Sequence, residues 1–180
     1  MVSINPVLVL GSAITPIVPY TVDITLSLLT GNNQNVEALK GIQTIYGTIS
    51  LVHIDDVCSA HIFLMENPSA EGRYICCAIN ISVPQLADYL SKRYPQYNVT
   101  TLWASLSVVY SIFYIITTMD LNLITSIEIK CLYRFDDVPP ISKVYISSKK
   151  LVESGFSFKF GMDEIIDDSV EYVKTKGLLL

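Results

Sequence analysis

The chain has 180 residues, enough for one domain of ordinary size with a single core. Its 12 Lys and Arg against 17 Asp and Glu give a formal net charge of −5. This acidic balance argues against a nucleic-acid partner, which needs a basic face. With 51% hydrophobic and 16% charged residues, the chain is also too apolar to be disordered.

The first third of the chain alternates apolar runs with turn signals. Residues 2–10 form a near-continuous apolar run closed by Gly11, which predicts one strand buried on both faces of a parallel sheet. Residues 23–29 suggest a short helix stopped by Gly31, followed by a polar turn over residues 32–35.

A second apolar run, residues 49–54, predicts another strand. Asp56 follows it and stands where an N-cap belongs, before the helical pattern VCSAHIFLM. A turn at residues 71–72 leads into a predicted strand over residues 73–78. Ser82 and Gln85 then have the spacing of a capping box that opens a helix reaching about residue 93.

The last third predicts a short strand at residues 144–146, a helix over 147–153 ended by Gly155, and a helix over 163–176 ended by Gly177. In the final helix, four apolar side chains share one face: Ile165, Ile166, Val170 and Val173. The alternation of strands and helices predicts the α/β class.

One apolar segment stands apart from this pattern. Residues 102–119 are long enough for a transmembrane helix, but Ser and Thr residues dilute the run and no Lys/Arg cluster flanks it, so a membrane span is not favoured. A secretory signal is not favoured either, because prolines interrupt the uncharged amino-terminal stretch. The four cysteines lack framework spacing, which favours a reducing, cytoplasmic location.

Motifs that carry chemistry are few. The two histidines, His53 and His61, have no third ligand at metal spacing, so no metal site is expected. The sequence contains neither a GxGxxG nor a GxxxxGK[ST] loop for phosphates. Two YxxxK strings, at residues 145–149 and 172–176, are interpreted as chance matches, because about half a match is expected from this composition.

Three runs of residues are distinctive when taken together and in order: VHIDDVCSAHIFL, GRYICC, and the tail SSKKL…GFSFKFG…TKG. They closely resemble the carboxyl-terminal half of plant anthocyanidin reductases, which are grouped with dihydroflavonol reductases in the extended short-chain dehydrogenase/reductase class. The likeness covers nearly the whole chain except residues 101–134. It implies the carboxyl-terminal part of a Rossmann-type fold, with residues 1–100 and 135–180 forming one domain.

The resemblance further implies an NADPH-dependent reductase that converts anthocyanidins to flavan-3-ols. In that family the glycine-rich loop and the catalytic Ser and YxxxK residues precede the region matched here, so no catalytic residue is assigned and the chain alone is expected to be inactive. Neither YxxxK string of this chain aligns with the catalytic one.

Four residues carry over as site residues. Pro6 and Leu8 match positions beside the nicotinamide, and Thr21 falls where relatives have a Ser near the cofactor phosphates. Ser50 occupies the place where dihydroflavonol reductases have a Gln facing the substrate. Ordinary loop and strand-end roles are the competing interpretation of all four.

Residues 101–134 are predicted to be an insertion foreign to the fold, because removing them joins RYPQYNVT to FDDVPPISK as in the family pattern. Two other functions stay open at this point: a non-catalytic interaction protein, and a single-pass membrane protein that uses residues 102–119.

Overall fold

The computed structural model describes residues 1–97, 99 and 143–179. Its strands are β1 (Val2–Pro6), β2 (Leu8–Leu10), β3 (Ile49–His53), β4 (Gly72–Cys76) and β5 (Ile79–Ile81). Its helices are α1 (Tyr20–Thr25), α2 (Ser27–Thr30), α3 (Asn33–Tyr46), α4 (Ile54–Glu66), α5 (Val83–Arg93), α6 (Lys149–Glu153) and α7 (Met162–Thr175). In these ranges β1 pairs with β4 in parallel, and β3 lies between parallel β2 and antiparallel β5.

Strand β3 separates two hydrophobic clusters, because successive side chains of a strand point to opposite faces. Leu51 belongs to a cluster with α1, α2, α3, α5 and α7. Val52 belongs to the second cluster, with α4, α6 and β4. Helices therefore cover both faces of the strands, and the predicted α/β class is confirmed.

The prediction of one strand over residues 2–10 is wrong. The chain forms two strands in two different sheets, divided at Val7, whose N–H donates to the carbonyl of Cys76 over 3.2 Å. Only Leu10, at the end of β2, is fully buried, and β1 is half-buried or exposed along its length. Apolar composition alone did not distinguish a strand buried on both faces from two shorter ones.

Gly11 ends β2 with φ at +112°, a conformation that favours glycine. A Cβ atom there would lie 3.0 Å from Asp168, His53 and Ile54. The turn predicted at Gly11 is thus both a backbone requirement and a close approach between three elements.

The polar turn predicted at residues 32–35 is also wrong. Asn32 is the N-cap of α3 and its side chain accepts from the Asn35 N–H, so the polar residues begin a 14-residue helix. Val36 and Leu39 bury one face of this helix. Gly47, at φ +70°, ends it.

The remaining helix predictions are confirmed within a few residues. Ser82 and Gln85 make both bonds of the capping box that opens α5. In α7 the predicted apolar face is buried, and its Asp and Glu residues include two in the first turn. The predicted helix at 23–29 is present as two short helices, α1 and α2, stopped by Gly31.

Asp56 is not the N-cap of α4, contrary to the sequence prediction. His53 caps that helix, and its Nδ1 accepts from the Asp55 N–H over 3.2 Å. Asp56 lies in the first turn, fully buried, and its two carboxylate oxygens accept from the N–H groups of Lys159 and Phe160 at 3.0 and 3.2 Å. It ties the chain before α7 to α4, a long-range contact that local spacing does not indicate.

The predicted insertion at residues 101–134 and the possible membrane span at residues 102–119 lie outside the described residues. Cys131 also lies outside them. Among the residues that the structure does describe, no helix is long and apolar enough to cross a membrane. Within those same ranges no group of three His, Cys, Asp or Glu side chains is placed to hold a metal ion.

Candidate functional site

A cavity of about 610 Å³ lies where β1 ends and β2 and β3 begin. Ligands of open α/β folds bind beyond the carboxyl ends of parallel strands, and β1 presents such an end here. The volume falls within the range of small-molecule sites. Its lining residues are Asn5, Pro6, Val7, Leu8, Ile42, Tyr46, Thr48, Ile49, Ser50, Ile75, Val144 and Ile146.

Three of the four predicted site residues meet in this cavity: Pro6, Leu8 and Ser50. Thr21 does not line it. The Thr21 hydroxyl instead donates to the Val9 carbonyl over 2.6 Å, which joins α1 to β2. The structure thus brings three of the predicted site residues together at one cavity and places the fourth, Thr21, on helix α1.

Sequence reasoning missed the residues that α3 and the chain directly after it contribute to the cavity, namely Ile42, Tyr46 and Thr48. The signal was present, because Asn32 is an N-cap type and Val36 and Leu39 have helical spacing before Gly47. A helix at this position would have indicated which side chains turn towards β3.

Residues 143–146 form the opposite wall. The structure assigns no strand at the predicted 144–146, but side chains of the segment alternate as in one. Val144 and Ile146 line the cavity, whereas Lys143 and Tyr145 line a second cavity of about 410 Å³. The segment is therefore a partition between two cavities.

Hydrogen bonds to groups outside any β-ladder hold this partition in place. The Val144 N–H donates to the Tyr46 carbonyl over 2.9 Å, and the Thr48 hydroxyl donates to the Val144 carbonyl. Asn80, on β5, bonds both backbone groups of Ile146 at 3.0 Å each. Because side chains are among these partners, the backbone N–H and carbonyl groups of Val144 and Ile146 are hydrogen-bonded without a neighbouring strand. The prediction of a strand at residues 144–146 was therefore wrong.

Polar groups at the edge of the cavity are neutral. No charged side chain is among the described residues that line it. Ser50 is buried, and its hydroxyl donates to Asn80 Oδ1 over 2.8 Å. An apolar chamber with one polar edge suits an uncharged ring that carries hydroxyl or carbonyl groups.

The nearby thiols do not supply a nucleophile. Burial, with smaller effects of Asp56 and Cys77, raises the pKa of Cys76 to about 11. Burial also raises the pKa of Cys77, against the opposing effect of the polar groups of Ser50, Ile79 and Asn80 near its sulfur. Both groups are protonated thiols near neutral pH and are poor nucleophiles.

The residues of the two YxxxK strings are used elsewhere. Tyr145 is 66% exposed, and Lys149 lies 3.6 Å from Glu153. Tyr172 is buried in α7, and its hydroxyl donates to the Thr15 carbonyl over 3.3 Å. Neither tyrosine is among the residues that line the cavity at β1.

His53 has a structural place as well. Its ring is buried, stacks on Phe160 at 3.9 Å, and contacts the Asp168 carboxylate at 3.2 Å through Nε2. His61, by contrast, lies on the exposed flank of α4 and contacts the Val57 carbonyl through Nδ1. The two histidines therefore lie in different surroundings, His53 in the core and His61 on a helix flank.

The fold defines the class of protein first. The structure matches that of vestitone reductase from alfalfa with a TM-score of 0.68 at 24% identity, over 99% of this chain and 45% of that one. A nucleoside-diphosphate-sugar epimerase from Pseudomonas aeruginosa matches with a TM-score of 0.57 at 14% identity, over 99% of this chain and 49% of that one. The chain has the Rossmann-type fold of these short-chain dehydrogenase/reductase-like proteins.

The particular relatives are plant anthocyanidin reductases. A Ginkgo biloba protein provisionally assigned as one is 50% identical over 99% of this chain and 43% of its own length. A (2S)-flavan-3-ol-forming anthocyanidin reductase of Vitis vinifera is 45% identical over 99% of this chain and 44% of its own. The resemblance predicted from the sequence is confirmed, and the chain spans less than half of the length of the curated relatives it matches. No family model matches the sequence.

Proposed function

We propose that this chain forms one wall of the active site of a reductase that converts anthocyanidins to flavan-3-ols with NADPH. The observation that carries the proposal is the apolar cavity at the end of β1, lined by Pro6, Leu8 and Ser50, in a chain 45% identical to a (2S)-flavan-3-ol-forming reductase. A nicotinamide cofactor is the coarser part of this proposal, and its identity as NADPH is the finer part.

The residues present fit the ring portions of such ligands. The ring systems of a nicotinamide and an anthocyanidin are flat, and the lining offers the apolar side chains of Leu8, Ile42 and Ile75 beside the hydroxyl of Ser50. Pro6 has no N–H, so at the end of β1 it leaves no backbone donor unpaired against a ring. In this proposal Pro6 and Leu8 face the nicotinamide, and Ser50 faces the flavonoid.

The described residues fit the phosphate groups of the cofactor less well than they fit the rings. The Thr21 hydroxyl already donates its hydrogen to Val9, so a bond from Thr21 to a phosphate oxygen requires that contact to be exchanged. The sequence also lacks the glycine-rich turn on which a dinucleotide pyrophosphate binds. We assign to this chain the binding and orientation of rings, and no proton transfer.

Ligand titration of the chain tests the ring site. We expect (−)-catechin, a (2S)-flavan-3-ol, to bind in calorimetry and NADPH to bind only in the millimolar range or not at all, because phosphate contacts are missing. A micromolar dissociation constant for NADPH would contradict this division of the site. Absence of catechin binding up to its solubility limit would overturn the proposed function.

A matched pair of variants locates the binding. Ile42→Trp places a large ring in the cavity, whereas Ile62→Trp makes the same change on the exposed face of α4. We expect the first to weaken catechin binding at least fivefold and the second to leave it unchanged. Equal effects of both variants would show that catechin binds elsewhere.

Reductase activity is tested in a chimera. The matching region of the Vitis reductase is replaced by this chain, and the formation of flavan-3-ols from cyanidin and NADPH is followed by chiral chromatography. Turnover that falls with Ile42→Trp but not with Ile62→Trp supports the proposal. A folded chimera that reduces cyanidin equally well with either variant contradicts it.

A further inference from the structure

Asn80 makes a set of hydrogen bonds that leaves no freedom in their direction. Asn80 lies on β5 directly opposite Ser50 of β3. The backbone N–H and carbonyl of Ile146 both form hydrogen bonds with the side-chain amide of Asn80. The Ile146 N–H can only donate and the Ile146 carbonyl can only accept. The atom 3.0 Å from that N–H is therefore Oδ1, and the atom 3.0 Å from the carbonyl is Nδ2.

The orientation of the amide fixes the hydroxyl of Ser50 in turn. Asn80 Oδ1 has no hydrogen, so across their 2.8 Å contact Ser50 must be the donor. A serine hydroxyl has one hydrogen and two lone pairs, and the hydrogen is now used. Towards the cavity, Ser50 has only lone pairs to offer.

The neighbouring thiol does not change this result. Burial raises the pKa of Cys77, so it is a protonated thiol, and its sulfur contacts the Ile79 carbonyl at 3.5 Å. Neutral sulfur is a weak acceptor compared with an amide oxygen, so the Ser50 hydroxyl donates its hydrogen bond to Asn80 Oδ1 and not to Cys77.

We propose that Asn80 is a positioning residue which makes Ser50 an obligate hydrogen-bond acceptor, so that the cavity selects ligands that present a phenolic hydroxyl at this edge over their methyl ethers. The inference rests on the proposed function and names a selectivity within that site. A free serine would donate to an ether oxygen, whereas this Ser50 cannot do so without breaking its bond to Asn80. Asn80 acts through Ser50 and Ile146, since it is not itself among the residues that line the cavity.

The selectivity is measured with (−)-catechin, a (2S)-flavan-3-ol, and the set of its mono-O-methyl ethers, each titrated into the chain by calorimetry. We expect methylation of one phenolic position to weaken binding about three- to tenfold, the effect of losing one neutral hydrogen bond. In Asn80→Ala the Ser50 hydroxyl is free to rotate and to donate. The ratio of the dissociation constant of that methyl ether to the dissociation constant of catechin is then expected to fall below twofold. Ser50→Ala removes the acceptor and abolishes the ratio as well.

The readouts separate positioning from support of the fold. If Asn80 only supports the wall, Asn80→Ala weakens catechin and every ether by the same factor, and the proposal is overturned. An unchanged ratio in Ser50→Ala overturns it too. The control Asn33→Ala, at an exposed position of α3, is expected to keep both the affinities and the ratio.

A measurement without ligand tests the network itself. In nitrogen–proton correlation spectra, Ser50→Ala is expected to shift the side-chain amide signals of Asn80 and the backbone amide of Ile146, with the other amides of β3 largely in place. Unshifted Asn80 signals would overturn the network even if catechin binds. Failure of all catechins to bind, with these shifts present, would overturn the proposed function and the selectivity, and would leave the hydrogen bonds standing.

Discussion

Two segments of this molecule, one at residues 159–160 and one at residue 146, each form two hydrogen bonds with one polar side chain, and the two side chains differ. Asp56 holds the chain at Lys159 and Phe160, where two N–H groups point at it. Asn80 holds the chain at Ile146, where one N–H and one carbonyl face it. A carboxylate offers only acceptors, and a carboxamide offers one of each, so each residue type matches the backbone groups it meets.

The two ties also differ in burial. Asp56 has no exposed surface, whereas Asn80 is half-buried at the edge of a cavity. A buried donor that loses its acceptor lowers the free energy of unfolding by more than the net contribution of the hydrogen bond. Substitutions of the fully buried Asp56 should therefore destabilise the fold more than substitutions of Asn80. The comparison indicates that Asp56 maintains the fold, whereas our proposal gives Asn80 the further role of orienting Ser50 at the cavity.

Exchanging the carboxylate for an amide should have the largest effect. Asp56→Asn keeps the size of the side chain but turns one NH₂ group towards a backbone N–H, so one buried donor loses its acceptor. We expect the free energy of unfolding to fall by about 3 kcal/mol, as for a hydrogen bond to a charged group. Urea denaturation of the chain measures this change. A loss below about 1 kcal/mol, the usual cost of removing a helix cap, would contradict the role assigned to the two long-range bonds of Asp56.

The reciprocal exchange sharpens the comparison. Asn80→Asp places a carboxylate oxygen against the Ile146 carbonyl, in place of the Nδ2 donor. We expect a loss of about 1.5 kcal/mol, smaller than for Asp56 because water reaches this half-buried position. Asn33→Asp, on the surface of α3, is the control. If Asn80→Asp lowered the free energy of unfolding as much as Asp56→Asn, the role assigned to burial would be contradicted.

Another carboxylate, Asp168, is partly exposed, unlike Asp56. Asp168 accepts from the N–H and the hydroxyl of Ser12 at 2.7 and 2.6 Å, and its side chain is 36% exposed. Burial alone would raise its pKa, but the bonds from Ser12 and His53 prevail and hold the pKa below its ordinary value of 3.8. A lowered pKa in the folded state means that the charged form stabilises the fold.

The pH dependence follows from this direction. The contribution of Asp168 is complete above the ordinary pKa and is lost as the pH falls through the lowered value of the folded state. We expect Asp168→Asn to cost under about 1 kcal/mol at pH 7, because solvent screens a group this exposed. In thermal melts the difference from the natural chain should shrink below about pH 4. A difference that grows on acidification would contradict the assignment.

The smallest effect is expected at a tie on the surface. Lys92 and Asp88 are 2.8 Å apart on α5, and both side chains are more than 60% exposed. Lys92→Gln should change the free energy of unfolding by about 0.3 kcal/mol, the usual size for such a helical pair. Melts at low and high salt measure the difference, which added salt should remove.

The sequence determined the elements whose signals are local. The capping box at Ser82 and Gln85 and the apolar face of α7 depend on residues three or four apart, and both were predicted correctly. The family resemblance was likewise readable from short runs of residues in order, and it placed Pro6, Leu8 and Ser50 at positions that the fold brings into one cavity.

Only the tertiary structure decided the features that depend on partners far away in the chain. The division of residues 2–10 between two sheets follows from the strands that pair with each half, β4 and β3. The role of Asp56 depends on two N–H groups more than a hundred residues away, and the direction of the Ser50 hydroxyl depends on Ile146 through Asn80. Spacing along a chain reports which residues share a helix face or a strand edge. It does not report which distant backbone groups still need a donor or an acceptor, and here those needs place the buried polar residues.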